Sequence, residues 1–262
     1  MAIGKLNLQD RIEPSKILKS VEIMGKQVDI PVHYTDLSAL MLFFQVSVSG
    51  AKNFIDSSRF KLVKTFGNRC VLGLTVFNYK ECPVGPYREL AISFPVLKDA
   101  IFPVPLLPLI FDNSFKNAGF FAHLLSMSTQ IGIDHSKEIF GYPTYDNIIT
   151  VDFEDEGKFI DVNIQEEDEL ILSFSMNKPK SFKEVTKRYN TFYSHAVDEN
   201  LVSVSMDVAA RVGTSYRTSS THLTLGRHKI SSIIRDLIKD SKPIAIQYYP
   251  EAIEILHAPI RI

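Results

Sequence analysis

Short alternations of apolar and polar residues dominate the chain, and this period of two predicts β-strands. Nine runs show the pattern: 60–66, 70–79, 87–96, 148–153, 158–164, 169–175, 201–212, 221–225 and 244–248. Acidic breaks at 154–157 and 166–168 separate three consecutive runs, which indicates a meander of hairpins. Many short strands with few helices are typical of an antiparallel barrel or sandwich.

Three segments show helical signals instead. Thr35 and Asp36 resemble an N-terminal cap, and apolar positions 37, 40, 41 and 44 follow them at helical spacing. Ser128 or Thr129 can begin a second helix that runs towards Phe140 and ends at the following glycine and proline. Isoleucine and leucine at 230, 233, 234, 237 and 238 form the apolar stripe of a third, amphipathic helix.

Composition narrows the class of protein. The 262 residues include 29 basic and 30 acidic side chains, a balance that argues against nucleic acid or an anionic membrane as partner. Two cysteines are too few for a disulfide framework or a structural zinc site. The sequence shows neither a signal-peptide pattern nor an apolar run long enough to span a bilayer. We therefore expect one cytoplasmic domain over residues 1–262.

The motifs that usually identify an enzyme are absent. The sequence has no glycine-rich phosphate loop, no nucleophile elbow and no histidine pair at zinc-ligand spacing, so we expect neither metal nor cofactor. Cys70 lies in an apolar run and is expected to be a buried, inert thiol. His123 lies in a run of phenylalanine and leucine, where a core role is favoured and a cavity-facing role is the alternative.

Two local constellations attract attention. In the strand 84–94, alternation places Tyr87 and Glu89 on one face with two small residues, and Arg88 on the other face. Such a carboxylate either faces solvent or lines a cavity, where burial raises its pKa and suits it to acid/base work. The second constellation is the corner 136–145, which is either purely structural or functional.

Both constellations, in this order, resemble motifs of the acetoacetate decarboxylase family. Gly85-Pro86-Tyr87-Arg88-Glu89 is similar to the family's Gly-x-Tyr-x-Glu strand, and Glu138-Ile139-Phe140-Gly141-Tyr142-Pro143 is similar to the start of its Glu-x-x-x-(Tyr/Phe)-Pro-Lys-Lys corner. The stretch 26–36 resembles the family's N-terminal strand and short helix, with Lys26 near a family arginine. The likeness spans roughly residues 20–258.

The resemblance implies a mainly β, α+β fold: a cone-shaped, acetoacetate-decarboxylase-like antiparallel β-barrel with a central cavity, a few helices and homo-oligomeric assembly. It also implies a small-molecule substrate and, in the decarboxylase itself, an imine formed by the first lysine after the proline. Here Thr144 and Tyr145 stand in place of the two lysines. A hydroxyl group cannot form an imine, so we predict that this chain is not a Schiff-base acetoacetate decarboxylase.

Three interpretations follow from this departure. The favoured one is an enzyme in which Glu89, Tyr145 and Thr144 act on a small keto, enol or polyketide-like compound by enolisation, dehydration, hydrolysis or cyclisation. Its predicted substrate-binding residues are Lys26, Arg88, Tyr87, Tyr142 and His123. The second is a non-catalytic barrel that binds a small molecule or lipid, with the apolar stretch 102–111 as a lid or an oligomer contact. The third is a decarboxylase that uses a lysine from elsewhere.

Overall fold

The computed structural model describes residues 16–55, 58–100, 117–195, 201–239 and 241–262. Within this part of the chain, β-strands predominate. The strands are β1 Lys19–Ile23, β2 Lys26–Ile30, β3 Val32–Ser47, β4 Phe60–Leu62, β5 Arg69–Glu81, β6 Tyr87–Lys98, β7 Ala118–Met127, β8 Thr150–Glu154, β9 Phe159–Glu166, β10 Glu169–Asn177, β11 Lys183–His195, β12 Leu201–Ser215, β13 His222–Leu225, β14 Pro243–Leu256 and β15 Ile260–Arg261. Each of the nine predicted runs overlaps one of these strands. The apolar stretch 102–111 lies outside the described residues.

Three helical segments join the strands. A short helix α1, Val48–Ala51, continues as a 3-10 turn over Lys52–Phe54, and the longer helices are α2, Gln130–Phe140, and α3, Lys229–Ile238. Thr129 caps α2 by accepting a hydrogen bond from the amide of Gly132, and Gly141 ends it with a left-handed φ of 69°. The predictions for α2 and α3 are therefore confirmed.

The largest sheet forms a ring. Its strands run in the order β11-β7-β6-β5-β3-β14-β12-β15, and β11 pairs with β12 as well as with β7. The seven strands from β11 to β12 in this order therefore close on themselves, because β12 pairs with β11. All of these contacts are antiparallel except the one between β11 and β7, which is parallel.

A smaller antiparallel sheet, in the order β13-β10-β9-β8, covers one side of this ring. The consecutive hairpins β8-β9-β10 confirm the predicted meander. Apolar residues of this sheet and of α3 pack against the outward side chains of β3, β5 and β6 to form one hydrophobic core. Cys70 belongs to this core, and burial raises the pKa of its thiol to about 12.

The helix predicted around residues 37–44 is wrong, because this segment lies in the centre of β3. The strand pairs with β5 on one side and with β14 on the other. From Leu40 to Val46 the even-numbered side chains, such as Leu40 and Leu42, enter the hydrophobic core, whereas Leu37 and Ala39 point into the ring. A strand buried on both faces is apolar at consecutive positions, and such a run contains helical spacings by coincidence.

Gly226, between β13 and α3, fixes the approach of α3 to the small sheet. Its amide donates a hydrogen bond to the carbonyl of Ile171 at 3.1 Å. A Cβ atom at this position would lie 1.6 Å from the carbonyl oxygen of Leu170. The backbones of β10 and of this connection therefore meet at a distance that only glycine permits.

We expect the substitution Gly226→Ala to lower the free energy of unfolding by at least about 3 kcal/mol, because the backbone of β10 must move to admit the methyl group. Urea denaturation followed by circular dichroism measures this loss. Gly157→Ala is the matched control: Gly157 has a φ of +54°, and a Cβ added there would meet no atom within 4 Å, so it should cost only about 1 kcal/mol. Equal losses in the two variants would contradict the assigned close approach.

Candidate functional site

A cavity of about 490 Å³ occupies the interior of the ring. Inward side chains of β3, β5, β6, β7, β12 and β14 line it, together with the end of α2 and the corner that follows. Its volume falls within the range of about 300–1,000 Å³ that is usual for small-molecule sites. On β6, the inward set contains Tyr87, Glu89, Ala91 and Ser93, the same face that the alternation predicts.

One end of the cavity combines carboxyl and phenol groups. We call it the closed end, and its six polar side chains, all between 2% and 7% exposed, are Tyr34, Tyr79, Tyr87, Glu89, Tyr142 and Glu254. The ring centres of Tyr34 and Tyr79 are 4.8 Å apart, and those of Tyr79 and Tyr87 are 4.6 Å apart. These three tyrosines thus form a continuous aromatic wall beside the two carboxyls.

The pKa of each of the two carboxyls is raised. Burial raises the pKa of Glu89 to about 8, and the negative charge of Glu254 contributes in the same direction. Burial also raises the pKa of Glu254 to about 8. Near pH 8 the pair gives up one proton, and the resulting charge opposes loss of the other. One ionised and one protonated carboxyl can therefore coexist at the closed end.

The Tyr142 hydroxyl, at this end of the cavity, is free to form a hydrogen bond with a ligand. It is 7% exposed, and its oxygen has no hydrogen-bond partner among the described residues. Burial, followed by the charges of Glu89 and Glu254, raises the pKa of this phenol well above its usual value. A buried hydroxyl without a partner is costly in free energy, so a ligand that pairs with it gains affinity. The Thr144 hydroxyl is also unpartnered among the described residues, but Thr144 does not line the cavity.

The predicted cationic residues lie elsewhere. Lys26 donates a hydrogen bond from Nζ to the carbonyl of Val84 at 2.7 Å and so holds the turn before β6. Arg88 points outward, where Nε donates to Oδ1 of Asn78 at 3.2 Å and the guanidinium also donates to the carbonyl of Val151. Among the described residues, no lysine, arginine or histidine lines the cavity.

The corner after α2 is held to the ring by its backbone. The amide of Leu125 on β7 donates to the carbonyl of Pro143 at 3.0 Å, and the amide of Tyr145 donates to the carbonyl of Leu125 at 2.7 Å. This extended backbone sends Tyr142 inward and Tyr145 outward. Tyr145 and Glu89, which the sequence analysis assigns to one catalytic group, therefore face opposite sides of the sheet.

Tyr145 instead belongs to a polar cluster that we call the outer network: Tyr145, Asn147, Glu166, His228 and Lys229. The Tyr145 hydroxyl donates to Oε2 of Glu166 at 2.5 Å, and Nε2 of His228 lies 2.7 Å from the same oxygen. Nδ1 of His228 accepts a hydrogen bond from the amide of Ile230 at 3.1 Å, so a neutral His228 carries its proton on Nε2 and donates it to Glu166.

The outer network stabilises an ionised carboxylate. Burial alone raises the pKa of Glu166, but hydrogen bonds from Tyr145, Asn147 and His228 outweigh this effect and lower it. The ammonium of Lys229 lies 4.4 Å from the ring centre of Tyr145. Three segments distant in sequence, the corner, the end of β9 and the start of α3, are joined here.

His123 also lies outside the cavity. Its ring packs against that of Phe54 with centres 4.5 Å apart, and burial lowers its pKa to about 4. Lys137 on α2 forms an ion pair with Asp146 at the surface and does not line the cavity either. Of the eight predicted site residues, the cavity brings together Glu89, Tyr87 and Tyr142.

The sequence analysis missed Glu254, Tyr34 and Tyr79. Glu254 lies opposite Tyr34 in the register of β14 and β3, and Tyr79 lies opposite Tyr87 in that of β5 and β6. One signal for Glu254 was available, since it is a single charge within the apolar run 252–256. An isolated carboxylate on an otherwise buried strand indicates a functional role.

Two classes of feature are not found in the described part of the chain. No group of three or more histidine, cysteine, aspartate or glutamate side chains is arranged there to hold a metal ion. No helix in those residues is long and apolar enough to cross a membrane.

Comparison with solved structures identifies the fold. An acetoacetate decarboxylase structure superimposes with a TM-score of 0.66 at 12% identity over 88% of this chain and 89% of the other. The acetoacetate decarboxylase of Legionella pneumophila gives 0.65 at 13% identity over 100% and 98%. The enduracididine biosynthesis enzyme MppR, complexed with pyruvate, gives 0.58 at 10% identity over 88% and 90%. No family profile and no curated protein matches the sequence. The chain has the acetoacetate-decarboxylase-like fold.

We expect the substitution Glu89→Gln to change how stability depends on pH. Folding raises the pKa of Glu89 from 4.5 to about 8, so the stabilisation of the native state is complete below pH 4.5 and is lost as the pH rises through 8. Each tenfold change in the acid constant is worth about 1.4 kcal/mol. As the pH rises from 5 to 9, the unmodified protein should therefore lose a few kcal/mol of its free energy of unfolding that the variant does not lose.

Thermal denaturation across this pH range measures the effect. The exposed Glu138 on α2 provides the matched control, since Glu138→Gln should leave the curve unchanged. Parallel curves for the Glu89→Gln variant and the unmodified protein would show that the Glu89 carboxyl is not buried as described.

Proposed function

We propose that this protein catalyses proton transfer beside the carbonyl group of a neutral small molecule, with Glu89 and Glu254 as the acid/base pair and without an imine. The observation that carries the proposal is the burial of both carboxyls at one end of a largely apolar cavity that no described cation lines. Carboxyls with a raised pKa are suited to general acid/base catalysis near neutral pH.

The reaction needs no co-reactant. The ionised carboxyl of Glu89 removes a proton from the carbon next to the carbonyl, and the electrons of that C–H bond form the carbon–carbon double bond. The protonated carboxyl of Glu254 delivers its proton to the carbonyl oxygen, while the Tyr142 hydroxyl donates a hydrogen bond to it. The product is an enol, and the pair as a whole keeps one proton. Such an enol also begins dehydration and cyclisation of keto compounds.

The absence of a described cation from the cavity lining favours a neutral substrate. A keto acid would bring its carboxylate towards Glu89 and Glu254, and no described lining residue offers a positive charge in compensation. Lys26 and Arg88 are engaged with backbone carbonyls elsewhere. The same absence argues against the alternative of a decarboxylase with a displaced lysine. Fold likeness alone does not favour decarboxylation, since the enduracididine enzyme shares this fold.

A non-catalytic binding barrel is the second candidate. The apolar lining residues of β3, β7 and β12 favour it, because they bind without participating in proton transfer. The two candidates differ in one measurable property, which is the exchange of the protons next to the carbonyl of a bound ketone with solvent.

We expect the protein to accelerate the exchange of these protons of octan-2-one in deuterium oxide, as followed by nuclear magnetic resonance. The substitutions Glu89→Gln and Glu254→Gln should each lower the rate at least about 100-fold, because each removes one partner of the proton transfer. Glu138→Gln is the matched control at an exposed carboxyl and should retain full activity. Exchange that survives both cavity substitutions would exclude this mechanism, and binding without exchange would favour the second candidate.

We also expect no covalent adduct when the protein is treated with acetoacetate and borohydride. Borohydride traps an imine as a stable amine, and an imine requires a neutral lysine in the cavity. Mass spectrometry of the intact chain detects the adduct. If the mass increases irreversibly in the presence of acetoacetate, or if carbon dioxide is released, the protein does use imine chemistry and the prediction is wrong.

A further inference from the structure

The two ends of the cavity differ in exposure. The side chains of the closed end are at least nine-tenths buried. At the opposite end, which we call the mouth, Tyr216 is 79% exposed and Ile244 is 39% exposed, and both line the cavity. A ligand whose polar group reaches Glu89 therefore extends the rest of its length towards Tyr216.

The walls between the two ends are mostly apolar and include several small side chains. Ala39, Ala91, Ala122 and Ala252 project into this part of the cavity from four strands. The few polar side chains there are uncharged, and one of them, Gln247, already accepts a hydrogen bond from the Tyr249 hydroxyl at 3.0 Å. In the described lining, Glu89 and Glu254 are the charged residues.

The cavity is long enough for an extended ligand. From Glu89 to Val96 its lining on β6 spans about 23 Å, at roughly 3.3 Å per residue. At the roughly 30 Å³ that a water-sized group occupies in a liquid, the volume of about 490 Å³ holds about 16 heavy atoms.

We infer that the substrate is a ketone with an extended apolar chain, whose carbonyl lies at the closed end and whose chain extends to the mouth. This inference rests on the proposed function, which places the carbonyl between Glu89 and Glu254. The apolar walls between the two ends favour an apolar chain, and the absence of a described cation at the closed end disfavours fatty-acid anions of the same length.

Binding of a homologous series tests the inference. We expect the dissociation constant, measured by isothermal titration calorimetry at pH 7, to fall about fourfold for each methylene added from butan-2-one to decan-2-one. Decanoate should bind at least about tenfold more weakly than decan-2-one, since its carboxylate would be buried in a largely apolar cavity without a described cation. Dissociation constants that stay flat along the series, or decanoate that binds as tightly as the ketone, would overturn the inference.

The substitution Ala91→Phe locates the chain within the cavity. Ala91 is two residues from Glu89 on the same face of β6, so a phenyl ring there narrows the path just beyond the carboxyls. We expect the variant to lose the gain in affinity for each methylene beyond hexan-2-one. Ala122→Leu, on the neighbouring strand β7, tests the same path with a smaller side chain, and thermal denaturation establishes that both variants are folded. If both folded variants keep the full gain in affinity for each added methylene, the ligand chain does not run past Ala91 and Ala122.

The outcomes separate this inference from the proposed function. Affinity that rises with chain length in the absence of proton exchange would refute the proposed catalysis and leave the chain-binding path supported. Proton exchange with dissociation constants that do not depend on chain length would refute the path and leave the catalysis supported.

Discussion

The two-residue alternation of the central strands is the constraint on which this structure depends. In the central parts of β3, β5 and β6, side chains point either into the ring or towards the small sheet and α3, and most of them are buried. Both faces must therefore be apolar wherever they carry no function. The outer face satisfies this requirement by packing, as Leu40 and Leu42 do. The inner face leaves a space, because Ala39 and Ala91 stand where larger residues would fill it.

This arrangement also determines the electrostatics of the site. A carboxyl on the inner face of such a strand is buried, so burial is the main cause of the raised pKa of Glu89 and Glu254, and for Glu89 the charge of Glu254 adds to it. A lysine in the same place would have been driven towards its neutral form by the same burial, which is the condition that imine chemistry requires. Burial thus favours a protonated carboxyl and a neutral lysine alike, and the identity of the inward side chain selects which chemistry such a position suits.

The sequence predicted the parts of the fold and the site that depend on local pattern. Alternation along β6 placed Tyr87 and Glu89 on one face, a capping residue located α2, and the spacing of apolar residues located α3. Prediction failed where one local pattern fits both a strand and a helix. It also failed where a contact joins residues that are far apart in the sequence. The apolar run of β3 contains helical spacings, so it was predicted to be a helix. Tyr145 was assigned to the cavity, although backbone pairing with Leu125 directs it outward. Glu254 meets Glu89 only after the strands between them have paired.

The corner after α2 is anchored by one set of contacts and lines the cavity with other side chains. Tyr145, Glu166 and His228 hold the corner from outside the ring, and the hydrogen bonds of Leu125 hold its backbone. Neither set of contacts involves the side chains that face the cavity. Substitutions at the inner positions of this corner therefore leave its anchoring contacts in place. Such a division is a physical route by which the inner side chains of one fold can change during evolution without loss of the contacts that anchor the corner.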